Sequence, residues 1–161
     1  GSGCIAVAAA LCFPDARVDA TDIDPAALSL AGKNVAEYDL QNRVRLIHSD
    51  IYQNIEASYD LILTNPPYVP LQDVNAFPPE FRHEPRHAFE GGADGLQLVH
   101  VILRDAASHL NEGGILVGEV GASWVALQQA YPQVAFTWLE TGVDDCGLFV
   151  IDKQESMQHF S

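Results

Sequence analysis

Basic residues are scarce in this sequence. Its 161 residues include 8 Lys+Arg against 22 Asp+Glu, which gives a formal net charge of −14 at pH 7. Because so few cations cannot neutralise a run of phosphates, we expect no direct binding of nucleic acid. The acidic surface instead favours a basic protein as the binding partner.

Cysteine and long apolar runs are also lacking. The 3 cysteines are odd in number and contain no C-x-x-C pair, which disfavours a disulfide framework or a cysteine-rich zinc site. No apolar run approaches the roughly 20 residues that cross a bilayer, and the N-terminus lacks the layout of a signal peptide. We therefore expect cytoplasmic localisation and no membrane association.

The rest of the composition is that of a folded domain. With 48% apolar residues, the chain is expected to form one domain over residues 1–161. Short β-rich runs alternate with helical stretches, which predicts an α/β fold with a mostly parallel sheet wrapped by helices. The predicted strands are residues 18–22, 44–48, 60–64, 114–120, 136–140 and 147–152.

Three helices are predicted by their caps and their apolar spacing. Asp24 and Pro25 are typical of a helix start, and the apolar face that follows extends to about Tyr38. Residues 5–11 form a helix behind a glycine turn, and residues 96–110 form another, which Gly113 and Gly114 end. The loop 141–146 is too short for a helix, so the last two strands are expected to pair antiparallel.

Residues 66–95 interrupt this pattern with six prolines and predict a lid or binding loop. Within them His83-Glu84-Pro85-Arg86-His87 matches the H-E-x-x-H zinc motif. Pro85 disfavours the helix that the motif requires, so no metal site is predicted. Arg82, His83 and Glu84 are expected either to form a polar wall near the active-site mouth or to lie in a solvated loop.

The glycine turn Gly1-Ser2-Gly3 opens a helix, where backbone N–H groups allow the close approach of a nucleotide-like ligand. A tag-derived Gly-Ser start is the alternative. Asp22 follows about 20 residues later at a strand end, where an acid can accept both hydroxyls of a ribose. Asp22 could instead only end the strand or cap a helix, although Asp24 already serves as that cap.

Asp50 and Ile51 follow the next predicted strand. A carboxylate there can accept from an exocyclic amine, and an apolar side chain can cover a flat base. Asp50 could also be a simple turn residue.

The strongest signal is Asn65-Pro66-Pro67-Tyr68, directly after the strand at residues 60–64. The prolines fix the backbone and leave the carbonyl before them unpaired, so this carbonyl and the Asn65 oxygen form two acceptors for an –NH₂ group. Tyr68 can close over a planar amide or base. Accepting both N–H bonds orients a poorly nucleophilic nitrogen and stabilises the positive charge that grows on it. A proline-rich loop without function is the alternative.

Together with Gly1-Ser2-Gly3-Cys4-Ile5-Ala6 and Asp22, this tetrapeptide resembles the HemK-type protein glutamine methyltransferases, class I enzymes that use S-adenosylmethionine. The resemblance extends over essentially the whole chain. It includes Glu84-Pro85 followed by Gly91-Gly92-x-Asp94-Gly95-Leu96, and Glu119-Val120-Gly121. Other segments are similar to the branch that methylates a glutamine of large-subunit ribosomal protein three. They are Tyr52, Arg82-His83-Glu84-Pro85, Tyr131-Pro132 and Phe136-Thr137-Trp138-Leu139-Glu140.

The resemblance implies a class I methyltransferase (Rossmann-like) fold with a C-terminal antiparallel hairpin, and S-adenosyl-L-methionine as cofactor, with S-adenosyl-L-homocysteine as product. It places Gly1, Ser2 and Gly3 against the cofactor, Asp22 on its ribose, and Asp50 with Ile51 beside its adenine. Asn65 also borders the cofactor. Asn65, Pro66, Pro67 and Tyr68 would hold the substrate amide, with Asn65, Pro66 and Tyr68 as the catalytic residues.

The family also carries a strand before the glycine turn and an N-terminal helical domain that helps to recognise the protein substrate. Neither is found in residues 1–161, so we expect this sequence to be a fragment of a longer chain. The expected substrate is a basic protein, either a ribosomal protein or a release factor. Adenine-directed methylation of nucleic acid, which uses the same tetrapeptide, and a non-catalytic binding module are the competing hypotheses.

Overall fold

A computed structural model describes residues 1–74, 89–142 and 146–160. The H-E-x-x-H segment, with Arg82, His83 and Glu84, lies outside the described residues, together with the rest of residues 75–88 in the proline-rich loop. None of the helices in the described ranges is long and apolar enough to cross a membrane.

Helices and strands alternate along most of the described chain. The helices are α1 (Cys4–Cys12), α2 (Pro25–Glu37), α3 (Leu71–Val74), α4 (Gln97–His109), α5 (Trp124–Ala130) and α6 (Lys153–Phe160). The strands are β1 (Val18–Asp22), β2 (Val44–His48), β3 (Tyr59–Thr64), β4 (Leu110–Glu119), β5 (Thr137–Leu139) and β6 (Leu148–Asp152). The predicted α/β class is confirmed.

The first compact unit is Gly1–Glu56. In it β1 and β2 pair in parallel, from Val18 opposite Val44 to Asp22 opposite His48. The helix start predicted at Asp24 is present, since its side chain accepts from the Ala26 amide at 2.8 Å. Buried apolar side chains of α1, α2 and the segment leading into β2 form the core of this unit: Ala6, Val7, Ala10, Val35, Leu40 and Val44.

The second unit, Ala57–Ser161, contains a four-stranded sheet in the order β3-β4-β6-β5. β3 and β4 are parallel, whereas β6 is antiparallel to both β4 and β5. The predicted antiparallel pairing of the last two strands is therefore confirmed. The described strands thus form two sheets, where the sequence pattern led us to expect one.

The signal that ends α4 differs from the prediction. The helix stops at His109, and Leu110 is already extended, so Gly113 and Gly114 are not its terminator. Gly113 adopts a φ of 75° inside β4, where the pairing with β3 shifts register between Tyr59 and Leu61. The two glycines therefore belong to a strand irregularity, a position that also favours glycine.

Three helices have no counterpart in the sequence analysis. α3 and α5 have only 4 and 7 residues, too short for a periodic apolar face. α6 begins directly after β6 and has its own start signal, because Asp152 Oδ1 accepts from the Glu155 amide at 2.8 Å. This aspartate at the N-cap is a helix start signal that sequence reasoning overlooked.

Leu103 is the residue on which we expect the second unit to depend most strongly. It lies on α4 and is 0% exposed. Leu103→Ala should lower the free energy of unfolding by about 2–5 kcal/mol, because a buried cavity replaces the lost side chain. Urea unfolding of this variant should be compared with Leu139→Ala, whose side chain is 44% exposed and should cost under about 1 kcal/mol. Equal losses of unfolding free energy in the two variants would contradict the assignment of Leu103 to the core.

Candidate functional site

The glycine turn before α1 requires glycine at its last position. Gly3 has a φ of 79°, and an added Cβ would lie 2.8 Å from the Cβ of Ala31 on α2. The carbonyl of Ser2 accepts a hydrogen bond from Asn34 Nδ2 at 2.8 Å. An added Cβ on Gly1 would meet nothing within 4 Å. Packing therefore explains Gly3, which is the N-cap of α1, and a helix N-terminus is a position where an anionic or nucleotide-like group is favoured.

Asp22, at the end of β1, lies next to this turn. One carboxylate oxygen accepts from the amide of Asp24 at 2.7 Å, and the other contacts the amino group of Gly1. Asp22 and Gly1 are 21 residues apart in sequence, so the fold brings together two of the predicted cofactor residues. Asp22 does not cap α2, since Asp24 does.

The turn after β2 is stabilised by the hydrogen bonds of a buried serine. The amide of Ser49 donates to the carbonyl of Asp22 at 3.0 Å, and its hydroxyl donates to the carbonyl of Ile51 at 3.0 Å. Ile51 has a φ of 48°, which is rare for a β-branched residue and needs firm support from its surroundings. Asp50 is exposed beside it. The structure therefore places the predicted adenine-binding pair directly beside the end of β1.

These turns of the first unit suit a nucleoside ligand chemically. Three kinds of group hold a ribose and a base in α/β proteins. They are a half-buried carboxylate, a glycine turn at a helix start, and an apolar side chain next to an exposed carboxylate.

The tetrapeptide Asn65-Pro66-Pro67-Tyr68 continues β3 in the second unit. Asn65 is exposed, Pro66 is buried, and Pro67 and Tyr68 are half-buried. Thr64, the last residue of β3, pairs in register with Gly118 of β4. The residues that follow this pair are therefore Asn65, directly after β3, and Glu119, at the end of β4.

Glu119 binds both polar side chains of the tetrapeptide. Asn65 Nδ2 donates to Oε2 of Glu119 at 3.1 Å, and the Tyr68 hydroxyl donates to Oε1 at 3.0 Å. One carboxylate thus holds two predicted catalytic residues that lie three positions apart in sequence.

Close backbone packing encloses Tyr68. A Cβ on Gly121 would lie 2.5 Å from Cε2 of the Tyr68 ring, and a Cβ on Gly95 would lie 2.3 Å from the Tyr68 carbonyl oxygen. Both glycines have positive φ, so backbone conformation and lack of space each require glycine there. The same carbonyl accepts from the hydroxyl of Ser123 at 2.9 Å.

Residues that follow the undescribed part of the loop run alongside the tetrapeptide. The amide of Val69 donates to Phe89, and the amide of Gly91 donates back to Val69, both at 2.9 Å. The amide of Leu71 donates to the carbonyl of Gly92 at 3.0 Å. The two described ends of the predicted loop are therefore joined at the site.

The environment of Tyr68 raises its pKa to about 12. Burial is the largest cause, followed by the hydrogen bond to Glu119 and the charge of Glu119, with a smaller effect of Cys146. Because this pKa lies far above neutrality, the Tyr68 hydroxyl remains a hydrogen-bond donor.

Sequence reasoning did not assign a role to Ser49, Glu119 or Ser123. Glu119 had a usable signal, since the carboxyl ends of neighbouring parallel strands meet at one edge and Glu119 lies one residue before the predicted strand end at residue 120. Ser49 and Ser123 had none, because the bonds of a buried hydroxyl depend on turn geometry that the sequence pattern does not specify. In the part of the chain that the structure describes, no three His, Cys, Asp or Glu side chains are grouped as a metal site.

Comparison with known proteins identifies relatives of this chain. The family described as Methyltransferase small domain matches residues 1–77. The ribosomal protein uL3 glutamine methyltransferase of Neisseria gonorrhoeae is 44% identical over 96% of this chain and 52% of that protein. The protein of the same name from Neisseria meningitidis serogroup A is 45% identical over 96% of this chain and 51% of its own length. The chain therefore spans about half the length of these relatives.

Solved structures share the fold at low sequence identity. The ribosomal protein L11 methylase of Lactobacillus delbrueckii subsp. bulgaricus has a TM-score of 0.63 and 19% identity, over 94% of this chain and 64% of its own. An O-methyltransferase from a polyketide synthase multienzyme of Brevibacillus brevis, in complex with S-adenosyl-L-homocysteine, has a TM-score of 0.50 and 17% identity, over 74% of this chain and 32% of its own. The chain thus has the fold of the class I S-adenosylmethionine-dependent methyltransferases and is similar in sequence to the ribosomal protein uL3 glutamine methyltransferases of Neisseria.

Proposed function

We propose that this chain catalyses S-adenosylmethionine-dependent methylation of the side-chain amide nitrogen of a glutamine in a large-subunit ribosomal protein. The observation that carries the proposal is Asn65, which is exposed directly after β3 and held through its Nδ2 by Glu119. Its other amide atom, Oδ1, is an acceptor that suits the N–H of a primary amide. The names of the Neisseria relatives, which are glutamine methyltransferases of ribosomal protein uL3, support this choice of substrate.

The cofactor-binding role belongs to residues of the first unit. We assign the ribose hydroxyls to Asp22, the approach of the methionine end to Gly1, Ser2 and Gly3, and the adenine to Asp50 and Ile51. The proximity of Asp22 to the glycine turn supports this assignment.

The chemical problem is the weak nucleophilicity of an amide nitrogen, whose lone pair is delocalised. S-adenosylmethionine, when bound, supplies an electrophilic methyl carbon. Asn65 Oδ1 and a main-chain carbonyl of the tetrapeptide accept the two substrate N–H bonds, and Tyr68 packs against the amide plane. As the N–C bond forms and the C–S bond breaks, positive charge grows on the nitrogen, so both contacts strengthen toward the transition state. One N–H proton is then lost to solvent.

Acidic charge on this chain favours a basic protein substrate. The net charge of −14 attracts cationic proteins and repels nucleic acid. This argues for a ribosomal protein and against adenine in DNA or RNA.

The test is methyl transfer from labelled S-adenosylmethionine by the full-length protein. Purified uL3, a release factor and DNA should be offered separately, and the labelled product should be digested and sequenced by mass spectrometry. We expect one methyl group on a glutamine of uL3. Label on the release factor would transfer the assignment to that substrate, and label on DNA would refute protein methylation.

Asn65→Ala should slow the chemical step. Loss of the acceptor should raise the activation barrier by about 2–4 kcal/mol, because this contact strengthens in the transition state. This increase lowers kcat by about 30- to 1,000-fold. The measurement is kcat at saturating cofactor and substrate. Asn111→Ala is the matched control, since Asn111 also donates to a carboxylate, that of Asp60 at 2.9 Å. Asn111 lies on β4, at the end of the β3–β4 pair that is far from Asn65. Normal kcat in Asn65→Ala would contradict the assigned role.

Asp22→Ala should weaken cofactor binding and have a smaller effect on kcat at saturating cofactor. The ribose contact is the same in the ground and transition states, so its loss changes binding in both. We expect the cofactor Kd to rise by about 10- to 100-fold, the value of charge-assisted hydrogen bonds. Calorimetric titration measures this, with Asp15→Ala, an exposed aspartate of the same unit, as the control. An unchanged Kd for Asp22→Ala would exclude Asp22 from the cofactor site.

A further inference from the structure

Glu119 is the group in the second unit that both polar side chains of the tetrapeptide share. Its two oxygens accept one bond each, from Asn65 Nδ2 at 3.1 Å and from the Tyr68 hydroxyl at 3.0 Å. Neither the strand pattern nor the proposed chemistry assigns any role to this carboxylate.

The chemistry of this contact determines which way the Asn65 amide points. An asparagine amide has a donor end and an acceptor end, whereas a carboxylate only accepts. Only the –NH₂ end of Asn65 can therefore face Glu119, and Oδ1 is turned away from the carboxylate. Rotation about the last side-chain bond is otherwise nearly two-fold, so an unanchored amide would also present its –NH₂ to a substrate –NH₂, donor against donor.

We propose that Glu119 is a positioning residue that fixes the Asn65 amide with its Oδ1 directed to the substrate nitrogen. The inference rests on the proposed function. Glu119 acts through Asn65 and Tyr68 and not on the reacting atoms themselves.

The backbone around Glu119 makes it a firm anchor. Gly118 before it pairs with Thr64, and a Cβ there would lie 2.5 Å from Cζ of Phe149, which is 1% exposed. Val120 after it is fully buried, and its amide donates to the carbonyl of Gly147 at 2.9 Å. The carboxylate therefore extends from a strand end that is fixed on both sides.

Tyr68 gives the anchor a second function and an independent readout. Its hydroxyl occupies the oxygen of Glu119 that Asn65 does not use, so the carboxylate cannot turn without breaking a bond. Because Glu119 contributes to the high pKa of Tyr68, removing the carboxylate should lower that pKa, although burial will keep it above the ordinary value.

The kinetic test uses Glu119→Ala, Glu119→Gln and the double variant Asn65→Ala/Glu119→Ala in the full-length protein. Glu119→Ala should lower kcat on the order of 10- to 100-fold, the effect of a misplaced catalytic group, and leave the cofactor Kd within about threefold. Glu119→Gln should recover part of this loss, since its oxygen can still accept from Asn65. The double variant should be no slower than Asn65→Ala, because Glu119 acts through Asn65.

The matched control is Glu112→Ala. Glu112 lies on the same strand, with a side chain 93% exposed and paired with Lys153 at 2.9 Å. Its removal should leave kcat unchanged. A Glu119→Ala enzyme within threefold of normal kcat, additive losses in the double variant, or a Glu119→Gln enzyme as slow as Glu119→Ala would each overturn the proposal.

A measurement without substrate separates this proposal from the proposed function. NMR of the Asn65 side-chain amide and of the Tyr68 ring should show a changed amide signal and a lower Tyr68 pKa in Glu119→Ala, and neither change in Glu112→Ala. If the normal protein methylates no glutamine, the proposed function fails while these spectra still test the anchor. Unchanged spectra in a folded Glu119→Ala protein would refute the anchor itself.

Discussion

The parallel pairing of β3 with β4 determines what the second unit can do. Thr64 lies opposite Gly118, so the first residues beyond the paired ends are Asn65 and Glu119. A shift of one residue would move Glu119 to the other face of the sheet, since side chains alternate along a strand. On its other side, Gly118 pairs with Phe149 of β6 and leaves no space there for a side chain. The chemistry of the tetrapeptide thus depends on the alignment of β3 with β4, a strand that is also held by its pairing with β6.

The two units hold their functional turns by different means. In the second unit, the lack of a side chain at Gly121 makes room for the Tyr68 ring, and the lack of one at Gly95 makes room for the Tyr68 carbonyl. In the first unit, the buried hydroxyl of Ser49 supports Ile51 in a left-handed conformation that costs on the order of 1–3 kcal/mol. Strain of this kind persists only where the surroundings enforce it, and it is common at ligand-binding sites.

The main elements and the candidate residues could be predicted from sequence because they depend on local signals. Asp24 and Pro25 define a helix start through capping chemistry, and β1 and β2 have the predicted bounds. The predicted end of α4 at residue 110 agrees with the structure to within one residue, whereas the predicted terminator is wrong, because Gly113 belongs to an irregular strand whose partner is far away in sequence. The role of Glu119 could not be read from its own neighbours, since it depends on which strand lies beside β4. Contacts between strands, and not propensity, account for these omissions.

The central claim is that the Asn65 amide, held through its nitrogen, offers its oxygen to a substrate amide. The most direct measurement is a crystal structure of the full-length protein with S-adenosyl-L-homocysteine and a glutamine-containing segment of uL3. The account predicts Asn65 Oδ1 at about 2.9 Å from the glutamine Nε2, with Asn65 Nδ2 still on Glu119. A glutamine nitrogen bound by other residues, or an Asn65 amide detached from Glu119 in that complex, would contradict it.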